Sequence, residues 1–139
     1  MTDASADSAN ATPAALRFHM PAEWRAHEAT WLSWPKDPET WPDRVPQVEN
    51  IFLQMMSALA PAETVHLLVD DEATERLVRA RCTFGGAENI RFHQIPTVDS
   101  WIRDYGPNFL VSDKLSENLA YNDWLFNAWG NKYEELKKK

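Results

Sequence analysis

The sequence has little of what several common protein classes need. Its single cysteine, Cys82, excludes an internal disulfide and a zinc site built from thiolates. Its four glycines cannot form the G-x-G-x-x-G or G-x-x-x-x-G-K loops that hold phosphates, which argues against nucleotide chemistry. No apolar run approaches the about 18 residues of a membrane span, and the N-terminus lacks the basic start of a signal peptide. We therefore expect a soluble, cytoplasmic protein without a membrane partner.

The charge balance is acidic. The chain carries 14 basic and 21 acidic side chains, for a net charge of −7. This balance argues against a nucleic-acid partner and is compatible with a cationic ligand. The hydrophobic fraction of 44% and the charged fraction of 25% are those of a globular protein, and 139 residues allow at most one average domain. The unusual feature of the composition is its content of seven tryptophans and nine prolines.

The first half of the chain alternates between irregular and periodic segments. Residues 1–16 are small and polar without apolar periodicity, which predicts a disordered leader ahead of a folded part at 17–139. Residues 29–34 form a short aromatic and β-branched run before Pro35, which predicts a strand. Apolar side chains then recur at steps of three and four, which predicts a helix with Asp43 as its N-cap and Pro61 as its end. The apolar face of this helix consists of Val45, Val48, Phe52, Met55 and Leu59.

The following segments predict a parallel sheet. Residues 64–69 indicate a buried strand, residues 70–72 an acidic first turn of a helix that runs to about Cys82, and residues 90–95 the next strand. A strand–helix–strand order with short connections predicts right-handed βαβ units. After an irregular loop at 97–107 we expect strands at 108–111 and 119–126 and a helix beginning in the last eight residues.

Two aromatic clusters are candidates for ligand binding. In the first, Asp104 follows Trp101 at three residues and precedes a Gly-Pro turn, so that the carboxylate can accept paired N–H bonds while the indole offers a face to a planar cation such as guanidinium. The alternative is that Asp104 pairs with Arg103 in a structural loop. The second cluster, residues 123–130, is either a strand end that closes the core or an aromatic pocket wall with Asn127 as a polar contact.

The remaining reactive side chains favour structural roles. The four histidines, at 19, 27, 66 and 93, lie on separate elements without the spacing of metal ligands, so we predict no metal site. Cys82 follows Arg79 and Arg81, which favour a thiolate, but it lies at the predicted C-terminus of a helix, where the helix dipole disfavours one. We expect Cys82 to be a small packed hydrophobe.

Three motifs in this order resemble one family. They are F-H-M-P-A-E-W-R-A-H-E-A-T-W-L-S-W-P at 18–35, D-S-W-I-R-D-Y-G-P at 99–107 and F-N-A-W-G-N-K-Y at 126–133. Together they are similar to the N-terminal part of the agmatine deiminase family, which also contains bacterial peptidylarginine deiminases. The resemblance implies an α/β fold, a pentein-type propeller of ββαβ modules, of which this chain would be only the N-terminal part.

The resemblance also implies a reaction. Family members hydrolyse a guanidinium to a ureido group and ammonia without a cofactor, through a covalent amidino-cysteine intermediate, and a histidine moves protons. The expected product from agmatine is N-carbamoylputrescine, in polyamine and putrescine biosynthesis. The alternatives are deimination of arginine in peptides and a non-catalytic guanidinium-binding module. A homo-oligomer is a further expectation, and the tryptophan excess could instead serve protein–protein contact.

The resemblance assigns roles residue by residue. Asp104 matches the family's guanidinium-binding carboxylate and is the expected catalytic residue. Trp101 matches the indole beside the substrate, and Arg103 is expected to hold the loop. Asn127, Trp129 and Gly130 match the segment that shapes the pocket wall, so that the expected substrate-binding residues are Trp101, Asp104, Asn127 and Trp129.

The sequence also departs from the family pattern. Val98 and Asn131 replace residues that are usual beside the motifs, which puts fine substrate preference in doubt. The nucleophilic cysteine of a G-G-G-x-H-C motif and the catalytic histidine segment do not follow Tyr133, and Cys82 does not match that nucleophile. We therefore expect these residues to be the N-terminal portion of a longer enzyme, inactive when alone.

Overall fold

A computed structural model describes residues 11–116 and 118–133. These residues form two compact units. One comprises the described residues up to Arg25 together with Tyr105–Leu125, and the other comprises Ala26–Asp104 together with the described residues from Phe126 onward. Most of the predicted leader and of the predicted C-terminal helix lie outside the described residues. Residues 12–18 form hydrogen-bonded turns, with Phe18 N–H donating to Pro13 O over 2.9 Å.

The larger unit is built on a three-stranded parallel sheet. Its strands are β1 (Ala29–Ser33), β2 (Thr64–Val69) and β3 (Ile90–Gln94), in the spatial order β1-β2-β3. Helix α1 (Val45–Leu59) connects β1 to β2, and helix α2 (Glu72–Arg81) followed by a 3₁₀ turn (Ala87–Asn89) connects β2 to β3. Parallel strands need such crossovers, because a hairpin can only reverse the chain. The predicted strand–helix–strand order and the parallel pairing are confirmed.

The two helices of the larger unit begin differently. Asp71 is the N-cap of α2 and accepts a hydrogen bond from Thr74 N–H over 2.7 Å, and this bond lowers the pKa of the Asp71 carboxyl. The predicted N-cap of α1, Asp43, is wrong. The cap position is Arg44, whose side chain makes no capping bond, and the early Pro46 fits because the first helical N–H groups have no partner within the helix. Asp43 itself has a φ of 55° in the turn before the helix.

The core of the larger unit lies between the helices and one face of the sheet. Along β2, Val65, Leu67 and Val69 are all buried and point to the same face, because side chains alternate along a strand. The predicted end of α1 is confirmed at Leu59, ahead of Pro61. The buried core side chains are Leu32, Trp34, Met56, Ala60, Val65, Leu67, Val69, Val78 and Ile90.

The smaller unit contains an antiparallel pair. Strand β4 (Asn108–Val111) pairs with β5 (Leu119–Asn122), and His19 bridges to Val111 at the edge of β4. Both strands were predicted, but β5 ends at Asn122 rather than at 126. In the same unit Arg25 forms an ion pair with Asp113 over 3.0 Å.

The two units together are a mixed α/β arrangement, as predicted, and the propeller stays a prediction. Among the described residues, no helix has the length and apolar character needed to cross a membrane.

Candidate functional site

A cleft of about 510 Å³ lies in the larger unit, beside the carboxyl ends of β1 and β3. Three segments line it: the loop after β1, the segment after β3, and the chain from α4 (Ala128–Asn131) onward. The carboxyl ends of parallel strands meet at one edge of a sheet, which is where ligands of such sheets bind. The lining residues are Asp37, Glu39, Thr40, Asp99, Trp101, Asp104, Trp129, Lys132 and Tyr133.

The segment after β3 carries the first predicted pair. The predicted irregular loop contains a short helix, α3 (Ile102–Tyr105), which Trp101 precedes. The Asp104 N–H donates to the Trp101 carbonyl oxygen over 3.0 Å, and this bond closes the turn that carries both residues. Trp101 is 47% exposed, and its ring lies 5.5 Å from that of Trp41. Both predicted side chains therefore border the cleft and are open to solvent.

The second predicted cluster forms a left-handed turn. Residues Ala128, Trp129, Gly130 and Asn131 have φ values of 51°, 53°, 78° and 65°. For residues other than glycine this region is unfavourable, since the Cβ atom approaches the backbone. Asn127 stabilises the turn: its Oδ1 accepts the Gly130 N–H over 2.9 Å, and its carbonyl accepts the Asn131 N–H over 2.8 Å. Backbone strain of this kind is common where a side chain must be held for function.

The left-handed turn brings Trp129 to Asp104. The indole Nε1–H donates to Asp104 Oδ2 over 3.2 Å. The edges of Phe126 and Tyr133 flank the indole, with ring centroids 5.1 Å and 5.7 Å away and near-perpendicular planes. The structure thus places three of the four predicted binding residues at one cleft. Asn127, the fourth, does not line it, because its side chain is engaged within the turn.

Three further carboxylates in the cleft have no binding role in the sequence analysis: Asp37, Glu39 and Asp99. Asp99 is only 4% exposed, and burial raises the pKa of its carboxyl despite hydrogen bonds from Ser100 and Thr40. The Thr40 hydroxyl lies 3.1 Å from Asp37 Oδ2 and 3.4 Å from Asp99 Oδ2. The D-S-W motif contains Asp99, but nothing in the local pattern indicates that Thr40, 59 residues earlier, approaches it.

The acidic lining makes the cleft suited to cations. Among the described residues, four carboxylates border it, against one lysine, Lys132. Two indole side chains, those of Trp101 and Trp129, line the same cleft. A planar cation combines both kinds of contact, since it accepts aromatic stacking and donates paired N–H bonds to a carboxylate.

The other reactive side chains lie away from this cleft. Cys82 is the C-cap of α2 and packs against the core, and burial raises the pKa of its thiol although Arg79 and Arg81 act in the opposite direction. The expectation of a packed thiol is confirmed. Within the part of the chain that the structure describes, no three or more histidine, cysteine or acidic side chains form a group that could hold a metal ion.

Comparison with known proteins defines the family. The model of the Porphyromonas-type peptidyl-arginine deiminase family matches residues 19–139. The chain belongs to this family, as the three motifs predict. Among curated relatives, the agmatine deiminase of Ectopseudomonas mendocina is 39% identical over 119 residues, and that of Pseudomonas aeruginosa is 40% identical over the same length. Each match covers 86% of this chain and 31% of the relative.

Solved structures agree with this membership. The crystal structure of a candidate agmatine deiminase is 36% identical, superposes with a TM-score of 0.75, and matches over 87% of this chain and 33% of its own. C. jejuni agmatine deiminase, in a cysteine-to-serine variant with substrate bound, shares the fold with a TM-score of 0.68 at 24% identity, over 84% of this chain and 32% of its own. The chain thus spans about a third of the length of the relatives it matches.

Proposed function

We propose that this chain is the guanidinium-binding part of a guanidine deiminase that acts on agmatine. The observation that carries the proposal is the meeting of two separate motifs at one cleft, where Trp129 bonds to Asp104 and Trp101 stands in the same turn as Asp104. In the proposed complex, Asp104 accepts N–H bonds from the guanidinium through its second oxygen, and the indoles offer their faces. Membership of the deiminase family supports the reaction class.

Charge favours agmatine over arginine in a peptide. Agmatine carries a guanidinium and a primary ammonium, so it is a dication at neutral pH, whereas an arginine side chain in a peptide presents one positive charge. Asp37 and Glu39 add negative charge to the cleft beyond what a single guanidinium needs. The named curated relatives are agmatine deiminases, which supports the same choice. The family description, peptidyl-arginine deiminase, keeps arginine peptides as the second candidate.

The proposed reaction breaks a C–N bond of the guanidinium. A cysteine thiolate attacks the guanidinium carbon, ammonia leaves with a proton from a histidine, and water then cleaves the C–S bond to give the ureido product, N-carbamoylputrescine. Fixing the guanidinium between a carboxylate and two indoles aligns its carbon for attack. Cys82 is not the attacking group, because it is the cap of α2 and does not line the cleft. The pentein propeller belongs to this proposal as the expected setting of the complete site.

Binding by the 139-residue chain tests the site directly. Titration with agmatine, with the monocation butylguanidine and with putrescine, which has no guanidinium, is followed by tryptophan fluorescence and calorimetry. We expect agmatine to bind more tightly than putrescine, and Asp104→Asn to weaken agmatine binding about tenfold or more, because it removes a charged hydrogen-bond acceptor. Asp123→Asn, an exposed carboxylate outside the cleft, is the matched control and should leave the affinity unchanged.

Two outcomes contradict this assignment. If Asp104→Asn binds agmatine as tightly as the parent chain, Asp104 is not the guanidinium acceptor. If putrescine binds as tightly as agmatine, the cleft recognises amines in general. An N-acetylated arginine amide that binds more tightly than agmatine would favour the peptide substrate.

A further inference from the structure

A second cluster of aromatic and titratable groups lies on the sheet, outside the cleft. The ring of Trp31, on β1, stacks on His66, on β2, with centroids 4.3 Å apart and an angle of 14°. It also stacks on His93, on β3, at 5.0 Å and 25°. The two imidazoles meet directly, with His66 Nδ1 2.7 Å from His93 Nε2.

The strand register explains the cluster. Trp31 lies opposite His66, and His66 lies opposite Arg91, in the parallel pairing. Because side chains of one strand share a face at every second residue, His93 joins Arg91 on that face. The alternate residues Val65 and Leu67 are buried in the core on the other face, where the helices pack. The cluster therefore occupies the face of the sheet opposite to the helices.

The proton content of the pair is limited by its geometry. A hydrogen bond between two ring nitrogens needs one nitrogen with a proton and one without. Zero or one extra proton on the pair permits this bond, but when both rings are imidazolium, both facing nitrogens carry hydrogen and the bond is lost. Two neighbouring positive charges would then also repel each other.

The charged surroundings oppose the second proton. From β3, Arg91 and His93 face His66, while β1 contributes the uncharged indole of Trp31. The side chains of α1 and α2 that contact β2 belong to the apolar core on the opposite face. Burial, His93 and Arg91, in this order, lower the pKa of His66 below 6.5.

We propose that His66 and His93 share a proton in a hydrogen bond and stack together on Trp31. Protonation of both rings in mild acid then breaks the hydrogen bond and loosens the packing on this face of the sheet. Because the folded pair holds fewer protons than two independent histidines, the unfolded chain gains protons first as the pH falls below about 6.5. Stability is therefore complete above that pH and decreases below it. Loss of the stacking would release Trp31, which is already 39% exposed.

The test is a pH titration of the 139-residue chain between pH 8 and pH 4.5. Ring nitrogen chemical shifts report each histidine, and urea unfolding at each pH reports stability. We expect His66 to titrate below 6.5, with a fall in stability over the same interval. His93→Gln removes one partner, so the pKa of His66 should rise toward its ordinary value.

His19→Gln is the control: His19 belongs to the other unit, so this substitution should leave the titration of His66 unchanged. Titration of His66 near 6.5 in the parent chain, or a His66 pKa that His93→Gln does not change, would overturn the proposal. The wild-type titration decides the matter even if His93→Gln fails to fold. None of these readouts depends on guanidinium binding.

Discussion

The indole Nε1–H of Trp129 donates a hydrogen bond to Oδ2 of Asp104 over 3.2 Å. This bond connects residues 25 positions apart and holds one oxygen of the carboxylate, and in the proposed complex the other oxygen binds the ligand. The orientation of Asp104 therefore depends on a turn that is remote in sequence. A pre-oriented carboxylate binds a planar cation more tightly than a mobile one, because less side-chain freedom is lost on binding.

Trp129→Phe should separate the effect of orienting the Asp104 carboxylate from the effect of aromatic stacking on the ligand. Phenylalanine keeps an aromatic face but has no N–H to hold Asp104, so we expect agmatine affinity in the 139-residue chain to fall about three- to tenfold, the value of one ordinary hydrogen bond. Calorimetry measures the affinity. The control is Trp124→Phe, because Trp124 also loses an indole bond, to Asn108 Oδ1 over 2.9 Å, but lies outside the cleft. Equal affinity of Trp129→Phe and the parent chain would show that the bond has no role in binding.

Much of the fold can be predicted from local pattern, and part of the site cannot. The strands of the parallel sheet and the helix 45–59 follow from apolar runs and periodicity, which reflect burial on one face. The left-handed turn at 128–131 is different, because Ala128 and Trp129 disfavour positive φ and the turn depends on hydrogen bonds such as those to Asn127. The approach of Thr40 to Asp99 also cannot be predicted from local pattern, because the two loops are 59 residues apart in the sequence.

Gly130→Ala tests whether the left-handed turn matters for binding. A Cβ at Gly130 would meet no heavy atom within 4 Å, but the φ of 78° is unfavourable for alanine. We expect a loss of about 1 kcal/mol in stability of the turn, and weaker agmatine binding in proportion if the turn opens. Gly85→Ala is the matched control, because its Cβ would also stand in open space and its φ lies outside the left-handed region. If both alanine variants bind agmatine equally, the strain at 130 is irrelevant to the site.

The pKa of Asp99 predicts a dependence of stability on pH. Burial raises the pKa of this carboxyl above 3.8, so the folded chain keeps a proton that the unfolded chain has already released. Stability therefore decreases as the pH rises from about 3.8 through the raised value, and the cost persists at neutral pH. Asp99→Asn removes the ionisation and keeps an oxygen acceptor for Ser100, so we expect a melting temperature a few degrees higher at pH 7. This gain should shrink as the pH is lowered toward 3.8.

Asp113 is the comparison for Asp99, because its pKa is shifted in the opposite direction. A hydrogen bond from Arg25 lowers the pKa of Asp113, so its ionised form stabilises the folded chain. Asp113→Asn should lower the melting temperature at pH 7, and this difference should shrink as the pH falls below 3.8 and disappear once the folded chain is protonated as well. A lower melting temperature for Asp99→Asn at pH 7 would mean that the hydrogen bonds to its carboxylate outweigh its burial.

Cys82 should behave as a structural thiol. Its burial raises the pKa, and its place at the C-terminal end of α2 adds an unfavourable helix dipole for a thiolate. We expect iodoacetamide to label it at pH 7.5 more slowly than free cysteine, and as it is the single cysteine of the chain, mass spectrometry reads this rate without ambiguity. Cys82→Ser should cost about 1 kcal/mol in stability and leave agmatine affinity unchanged. Rapid labelling that agmatine blocks would instead place this thiol at the ligand, and the separation of Cys82 from the cleft would be wrong.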